Sequence, residues 1–180
     1  IVTDSTADLP EKLVKDHNIA VVPLKVIFNG KDTYRDGVDI STEQFYQRLV
    51  ERRETATTSQ PTPGEFVSVY TSLSAKSIIS IHLSSVMSGT CQSARIAREM
   101  VPGADIEVVD SKSVSMGLGL IVLEAARAAG KGMTKGEILK IISDLQARLQ
   151  VFFIVDSLEY LARGGRIGMA TAFLGTILNI

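Results

Sequence analysis

Two hydroxyl-rich stretches of the chain hold the side chains best suited to binding a ligand. The hydroxyl residues are Thr57, Thr58 and Ser59 in one stretch, and Ser84, Ser85, Ser88 and Thr90 in the other. Hydroxyls are neutral donors, so they hold a singly charged or protonated head group without the free-energy cost of burying a cation. Convergence of the two stretches would create a site for a small acid whose remainder is apolar, such as a long acyl chain.

The second stretch lies where a strand is predicted to lead into a helix. Residues 78–83 carry β-branched side chains on both parities, which predicts a strand covered on both faces. Ser88 then offers a capping hydroxyl, Gly89 lets a ligand approach the backbone, and a helix is predicted for 91–100. Free N–H groups and the positive end of the helix dipole would face the ligand, which favours a carboxylate or a phosphate.

Three other interpretations of these residues stay open. The first is that these hydroxyls only stabilise turns and helix ends, where serine and threonine are common. A phosphate-binding or nucleotide-binding domain is a second possibility, because 164–168 is glycine-rich and Arg166 can pair with an oxyanion, although no P-loop and no G-x-G-x-x-G is present in the sequence. A serine hydrolase with Ser85 or Ser88 as nucleophile is the third, although the sequence lacks a G-x-S-x-G elbow.

Several other reactive residues are predicted to be structural. His82 alternates along the predicted strand, and we expect its imidazole to be satisfied by a backbone group. Cys91 falls in the first turn of the predicted helix without a histidine partner in sequence, so a buried, inert thiol is expected. Asp4, Asp110 and Asp156 end predicted strands and are interpreted as caps, so no metal site is predicted.

Composition limits the partners and the location of the protein. The 180 residues are 45% hydrophobic and 22% charged, which is enough apolar material for a buried core. A formal net charge of -1 gives no electrostatic basis for nucleic acid as a partner. Apolar runs stay below the ~18 residues of a membrane span, so stable membrane insertion is not expected. The single cysteine cannot form an internal disulfide, which favours the cytoplasm.

Strand and helix signals alternate along the chain, which predicts an α/β fold with a mainly parallel sheet and helices on both faces. Capping boxes are predicted for Asp8 with Glu11, Ser41 with Gln44, Thr62 with Glu65, and Thr134 with Glu137. A strand is predicted over 21–28, apart from Pro23, with a hairpin turn at Asn29-Gly30, and a loop over 57–61. The strand ends at Asp4 and Asp110 are expected to lie side by side.

The domain organisation is predicted from a change of pattern near residue 150. Residues 1–150 form the predicted N-terminal α/β domain. A buried strand is predicted over 151–155, followed by a glycine turn and an apolar segment over 170–180. We interpret 151–180 as the beginning of a second α/β domain that is apparently truncated.

Five ordered motifs resemble those of the DegV family. They are Ile1 to Pro10 (IVTDSTADLP), Thr57 to Phe66 (TTSQPTPGEF), Leu83-Ser84-Ser85 with Ser88-Gly89-Thr90, Val109-Asp110-Ser111, and Gly164 to Gly168 (GGRIG). The resemblance implies a bacterial fatty-acid-binding protein of two α/β domains, with the acyl chain buried between or within them. Such a protein is not itself an enzyme. It presents the fatty acid to the kinase subunit of fatty acid kinase, which makes an acyl phosphate for phospholipid synthesis.

The same resemblance implies the residues of the site. Those that match the family's carboxylate-binding groups are Thr57, Thr58, Ser85 and Ser88. Gly89 then lets the head group approach, and Arg166 matches an arginine that binds the phosphate or docks the kinase. Family members are longer than this chain and contribute a later histidine to the site. The resemblance implies no metal and no cofactor, with a long-chain fatty acid as the ligand.

Overall fold

A computed structural model describes residues 1–152, 154 and 156–168 of the chain. The strands are β1 (Val2–Asp4), β2 (Ala20–Val22), β3 (Lys25–Phe28), β4 (Asp32–Arg35), β5 (Ala56–Ser59), β6 (Ile78–His82) and β7 (Ile106–Asp110). The helices are α1 (Glu11–Asp16), α2 (Thr42–Tyr46), α3 (Pro63–Ser72), α4 (Thr90–Glu99), α5 (Ser115–Gly130), α6 (Lys135–Arg148) and α7 (Glu159–Arg163). A 3-10 helix, Ser5–Ala7, follows β1, and a π-helical turn, Gln47–Glu51, continues α2.

A parallel sheet has the strand order β2-β1-β6-β7. Every residue of β1 and β6 is buried, as a strand requires when helices cover both faces. Ile79 and Ile81 pack with the apolar residues of α5 and α6 on one face. Val2 and Ile78 pack with those of α3 and α4 on the other face. The predicted α/β class with a parallel sheet is confirmed.

A second, antiparallel sheet has the order β4-β3-β5. The hairpin between β3 and β4 turns at Asn29 and Gly30, whose φ angles are +51° and +67°, so the predicted hairpin is confirmed. The strand predicted over 21–28 is instead two strands in different sheets. Pro23 separates them, because proline has no N–H to donate to a strand ladder.

The chain forms two compact units. The first unit is Ile1–Leu24 with Gln60–Val151, and the second unit is Lys25–Ser59 with the described residues from Phe152 onward. This division differs from the predicted ranges 1–150 and 151–180, because 25–59 form a separate antiparallel sheet with its own core of Val26, Phe28 and Ile40. That a second α/β domain begins after residue 150 stays a prediction.

Three of the four predicted capping boxes are confirmed, each with both reciprocal hydrogen bonds. They are Ser41 with Gln44, Thr62 with Glu65, and Thr134 with Glu137. The box of Asp8 and Glu11 is wrong, because α1 has Pro10 as its N-cap residue and no side-chain cap. Asp8 instead ends the preceding 3-10 helix in a left-handed conformation, with its N–H bonded to the carbonyl of Ser5 at 3.2 Å.

Two other predicted segments differ from the structure. The loop predicted over 57–61 begins as strand β5, because the β-branched threonines pair with β3. The buried strand predicted over 151–155 is wrong at the residues described there: Phe152 is 86% exposed and Ile154 is 97% exposed. Neither of them pairs with another strand. The predicted apolar segment over 170–180 lies outside the described residues.

No described helix is both long enough and apolar enough to cross a bilayer.

Candidate functional site

The serine loop, residues 83–89, connects the carboxyl end of β6 to the start of α4. Open α/β sheets bind ligands at this end of their strands. Within the loop, the N–H groups of Met87 and Ser88 donate to the carbonyl of Ser84 at 2.9 and 3.2 Å. These bonds form a tight turn, which places Ser88 next to the first turn of α4.

Helix α4 begins without a side-chain cap. Its N-cap residue is Gly89, whereas the sequence predicted a capping hydroxyl from Ser88. The Ser88 hydroxyl oxygen accepts the N–H of Thr90 at 3.3 Å. Because Ser88 precedes the N-cap residue, this bond is not an N-cap bond, in which the side chain of the N-cap residue itself accepts an N–H of the first turn. The first turn of a helix leaves N–H groups without intrahelical acceptors, and the helix dipole makes that end positive. The N-terminus of α4 therefore favours an anion beside the serine loop.

Ser88 and Thr90 are the hydroxyls best placed to donate to such an anion. Their oxygens lie 2.9 Å apart, so one proton of the pair is used between them and the other is left to donate elsewhere. Thr90 is fully buried, and Ser88 is half-buried. The proton of the more accessible Ser88 is therefore the one that can reach a ligand.

Ser85 is held by the end of the neighbouring strand. Its hydroxyl donates to the Asp110 carboxylate at 2.5 Å, and its N–H donates to the other oxygen at 3.2 Å. A carboxylate only accepts, so the single proton of Ser85 is already used in this arrangement. Ser85 therefore fixes the loop to β7, and its place among the carboxylate-binding residues stays a prediction.

Gln60 lies against Gly89, and the sequence analysis missed it. A Cβ added to Gly89 would come within 2.6 Å of both terminal atoms of the Gln60 amide. The Gln60 Nε2 also donates to Ser93 of α4 at 3.4 Å. The absence of a side chain at Gly89 thus makes room for an amide from another segment. That Gly89 also lets a head group approach stays a prediction.

Thr57 and Thr58 are neighbours on β5 in the second unit. Adjacent strand residues point to opposite faces of a sheet, so the two threonines do not face the same side. Thr57 lines an open groove of about 670 Å³. The groove is also lined by the apolar side chains of Phe45, Leu49 and Val50 and by the charged side chains of Glu54 and Arg163. That volume is in the range of small-molecule sites. Thr57, which is itself exposed, is therefore the member of the pair that lines this groove.

Arg166 follows the glycine turn that ends α7. Gly165 has a φ of +76°, which favours glycine, and the Arg166 Nη1 donates to the carbonyl of Gly164 at 2.5 Å. The guanidinium is thus held close to its own turn. A role for Arg166 toward a phosphate or a kinase stays a prediction.

His82 is fully buried and bonded to two side chains. Its Nδ1 lies 2.9 Å from Asp4, and its Nε2 lies 2.6 Å from the hydroxyl of Ser80. The expectation that a backbone group would satisfy this imidazole is wrong, because β1 and β6 are neighbours and Asp4 points to the same face as His82.

This Asp-His-Ser order resembles a hydrolase triad, but its geometry is not that of an accessible site. Ser80 is fully buried and accepts the hydroxyl of Tyr70 at 2.8 Å. The serines proposed as nucleophiles, Ser85 and Ser88, bond to Asp110 and Thr90 instead of an imidazole. The described residues therefore do not favour the hydrolase interpretation.

Cys91 is buried as predicted. Burial raises the pKa of its thiol to about 12, and its Sγ lies 3.7 Å from the carbonyl oxygens of Leu83 and Val109. The thiolate, which is the nucleophilic form, is therefore scarce at neutral pH.

Asp4 and Asp110 do not end adjacent strands, because β6 lies between β1 and β7. The expectation that they lie side by side is wrong. Asp4 caps the 3-10 helix by accepting the N–H of Thr6, as its interpretation as a cap predicts. Among residues 1–152, 154 and 156–168, no three metal-binding side chains cluster.

The parallel sheet, with an uncapped helix at its carboxyl edge, places the chain among α/β proteins whose architecture suits a small anionic ligand. The family model described as "Uncharacterised protein, DegV family" matches residues 1–180. The chain therefore belongs to the DegV family, and the resemblance based on its five motifs is confirmed.

Three relatives show the extent of the similarity. A DegV domain-containing protein of Caldanaerobacter subterraneus subsp. tengcongensis is 45% identical over 182 residues, covering 100% of this chain and 64% of the relative. The structure of a DegV family protein from Thermus thermophilus, described as fatty acid binding, has a TM-score of 0.87 at 41% identity, covering 99% of this chain and 64% of that one. DegV from Bacillus subtilis, described as a fatty acid binding protein, has a TM-score of 0.90 at 38% identity, with the same coverage.

Proposed function

We propose that the protein binds a long-chain fatty acid, with the carboxylate held by hydroxyls and the acyl chain in an apolar cavity. The observation that carries the proposal is the Ser88–Thr90 pair at the uncapped N-terminus of α4. A spare hydroxyl proton and the positive end of a helix dipole both favour a carboxylate there. The related proteins described as fatty acid binding support the same ligand class.

Neutral donors suit this ligand better than a cation does. An isolated ammonium or guanidinium near an acyl chain must lose its own hydration, which costs far more than desolvating a hydroxyl. Hydrogen bonds to a charged group contribute about 1.5–3 kcal/mol each. A few hydroxyl and backbone donors are therefore enough to hold one carboxylate.

The proposed contacts differ between residues. We assign the main donor in each predicted pair to Ser88 and Thr57, because Ser85 donates to Asp110 and Thr57 lines a groove. Thr58, Ser85 and Gly89 remain in the proposed site as neighbours of these donors. Phe45, Leu49 and Val50 along the groove offer apolar surface to the acyl chain.

The fatty acid is in turn presented to the kinase subunit of fatty acid kinase, which phosphorylates the carboxylate, and this takes place in the cytoplasm. This step rests on the family resemblance, in which the protein binds the substrate and the kinase supplies the catalytic groups. Arg166 is the residue assigned to the phosphate or to the kinase contact. No cofactor is assigned to the protein itself.

Native mass spectrometry of protein purified from a bacterial host tests the proposed ligand. We expect a bound species with the mass of a long-chain fatty acid, released on denaturation. A nucleotide or another phosphorylated species in its place would favour the phosphate-binding alternative, since the N-terminus of α4 also suits a phosphate.

A further inference from the structure

A chain of four buried polar side chains lies beneath the serine loop and has no part in the proposed contacts. The hydroxyl of Tyr70 donates to Ser80 at 2.8 Å, and Ser80 lies 2.6 Å from the Nε2 of His82. The Nδ1 of His82 lies 2.9 Å from Asp4. With a neutral imidazole, the Nδ1–H donates to the carboxylate and Nε2 accepts from Ser80. Each of the three hydrogen bonds between the four side chains then has one donor and one acceptor.

Asp4 is the residue at which this chain meets the backbone. One carboxylate oxygen accepts from His82 and from the N–H of Leu83, at 2.9 and 3.1 Å. The other accepts the N–H and the hydroxyl of Thr6, at 3.1 and 2.6 Å. Both oxygens are thus fully engaged, which fixes the rotation of a carboxylate that is itself completely buried.

The bond to Leu83 matters because that residue opens the serine loop. The next two residues are also anchored from outside the loop: the N–H of Ser84 donates to the carbonyl of Ser113 at 2.9 Å, and Ser85 donates to Asp110. The start of the loop is therefore held from both sides of β6, by β1 through Asp4 and by the end of β7. The position of Ser88 depends on where these bonds place the loop.

We propose that Asp4 is a positioning residue for the carboxylate site, and that His82 keeps its carboxylate oriented. Asp4 does not reach the ligand. It fixes Leu83, and through the loop it sets where the Ser88 hydroxyl stands relative to the N-terminus of α4. The inference rests on the proposed function, because it concerns the affinity for a fatty-acid head group.

Asp4→Asn is the direct test. The amide keeps the size of the side chain but replaces one acceptor oxygen by a donor, which then faces an N–H group of Leu83, His82 or Thr6. We expect the dissociation constant for palmitate to rise about tenfold. That for hexadecanol, which has the same chain without the carboxylate, should change by less than twofold. A purely structural role would weaken both ligands alike.

Tyr70→Phe is the matched control, because it removes a hydroxyl from the far end of the same buried chain. It should leave the palmitate affinity within twofold of wild type. If Asp4→Asn does not fold, Thr6→Val replaces it, since that change removes only the 2.6 Å hydroxyl bond to Asp4. A smaller loss, again selective for palmitate, is then expected.

Wild-type protein, stripped of lipid, separates the two possible failures. If it does not bind palmitate, the proposed function is wrong, and the role of Asp4 toward the ligand is wrong with it. If wild type binds palmitate while the Asp4 or Thr6 variant binds it equally well, or loses palmitate and hexadecanol to the same degree, only the positioning role is overturned.

Discussion

At the scale of single residues, the hydrogen bonds of each hydroxyl decide what it can still donate. Ser85 and Ser88 are three residues apart in one loop, but Ser85 donates to Asp110 at 2.5 Å. The hydroxyls of Ser88 and Thr90 share one hydrogen bond, which leaves one proton of the pair available to donate to another group. Of two serines that are similar in sequence, one therefore holds the loop and the other is free to hold a ligand.

The double variant Thr57→Val with Ser88→Ala tests the proposed donors. Loss of the donors leaves the carboxylate short of hydrogen bonds, at a cost of about 1–3 kcal/mol or more. We expect the palmitate dissociation constant to rise by roughly tenfold to a hundredfold. Isothermal titration on lipid-free protein measures it, and circular dichroism checks that the fold is retained.

The double variant Thr71→Val with Ser72→Ala is the matched control. The Thr71 hydroxyl donates to the carbonyls of Val67 and Ser68 at 2.8 and 3.2 Å, and the Ser72 hydroxyl donates to the carbonyl of Val69 at 2.8 Å, all within α3. The control removes the same two kinds of group and should bind palmitate as wild type does. If the Thr57 and Ser88 variant also binds like wild type, the head group lies elsewhere.

At the scale of elements, local backbone geometry decides what a glycine contributes. Gly30 turns the hairpin between β3 and β4 with a φ of +67°, and a Cβ added there would meet nothing within 4 Å. Gly136 in α6 also has open space, but its φ lies outside the left-handed range. The two glycines therefore differ in conformation and not in packing.

Substitution of these two glycines by alanine should shift the free energy of unfolding in opposite directions. Gly30→Ala forces a side chain into the left-handed region and should destabilise the protein by about 1–2 kcal/mol. Gly136→Ala should stabilise it by about 0.5 kcal/mol, because alanine loses less backbone entropy in a helix. Urea unfolding of both variants measures the shifts. Equal shifts of the same sign would contradict this account.

Elements governed by near neighbours in sequence could be predicted. The Asn29-Gly30 hairpin and the capping box of Thr62 and Glu65 depend on residues within a few positions, and both are confirmed. Burial of the three isoleucines of β6 on both faces follows from its β-branched pattern, whereas Ser80 and His82 are buried because they bond to Tyr70 and Asp4. The Asp8 box failed because a 3-10 helix competes for that residue.

The site contacts that join distant segments could not be predicted from the residues alone. Asp4 meets His82 only because β1 and β6 are neighbours in the sheet, and the strand order is not readable from composition or periodicity. Gln60, which precedes α3, reaches Gly89 at the start of α4, and nothing in the residues near either position indicates that contact. The serine loop itself could be located, because its hydroxyls follow a strand and precede a helix.

At the scale of the whole molecule, the chain spans 64% of the length of the first relatives it matches. The proposed donors belong to both compact units, since Thr57 lies in the second and Ser88 in the first. Their convergence on one carboxylate stays a prediction. The melting temperature reports on both units together, so it is a suitable test of whether the ligand stabilises the folded protein.

Removal of the bound lipid should lower the melting temperature of the protein. A ligand that binds only the folded state stabilises it by RT ln(1 + [L]/Kd), which is about 2.7 kcal/mol at a hundred times Kd. Differential scanning calorimetry of lipid-free protein should show a rise in melting temperature with added palmitate. The rise should be smaller in the Thr57 and Ser88 variant at the same palmitate concentration, because its Kd is larger.

Hexadecane, which has no head group for the Ser88 hydroxyl, should raise the melting temperature less than palmitate. Equal stabilisation by the two compounds would show that the apolar cavity, and not the hydroxyl site, provides the binding energy.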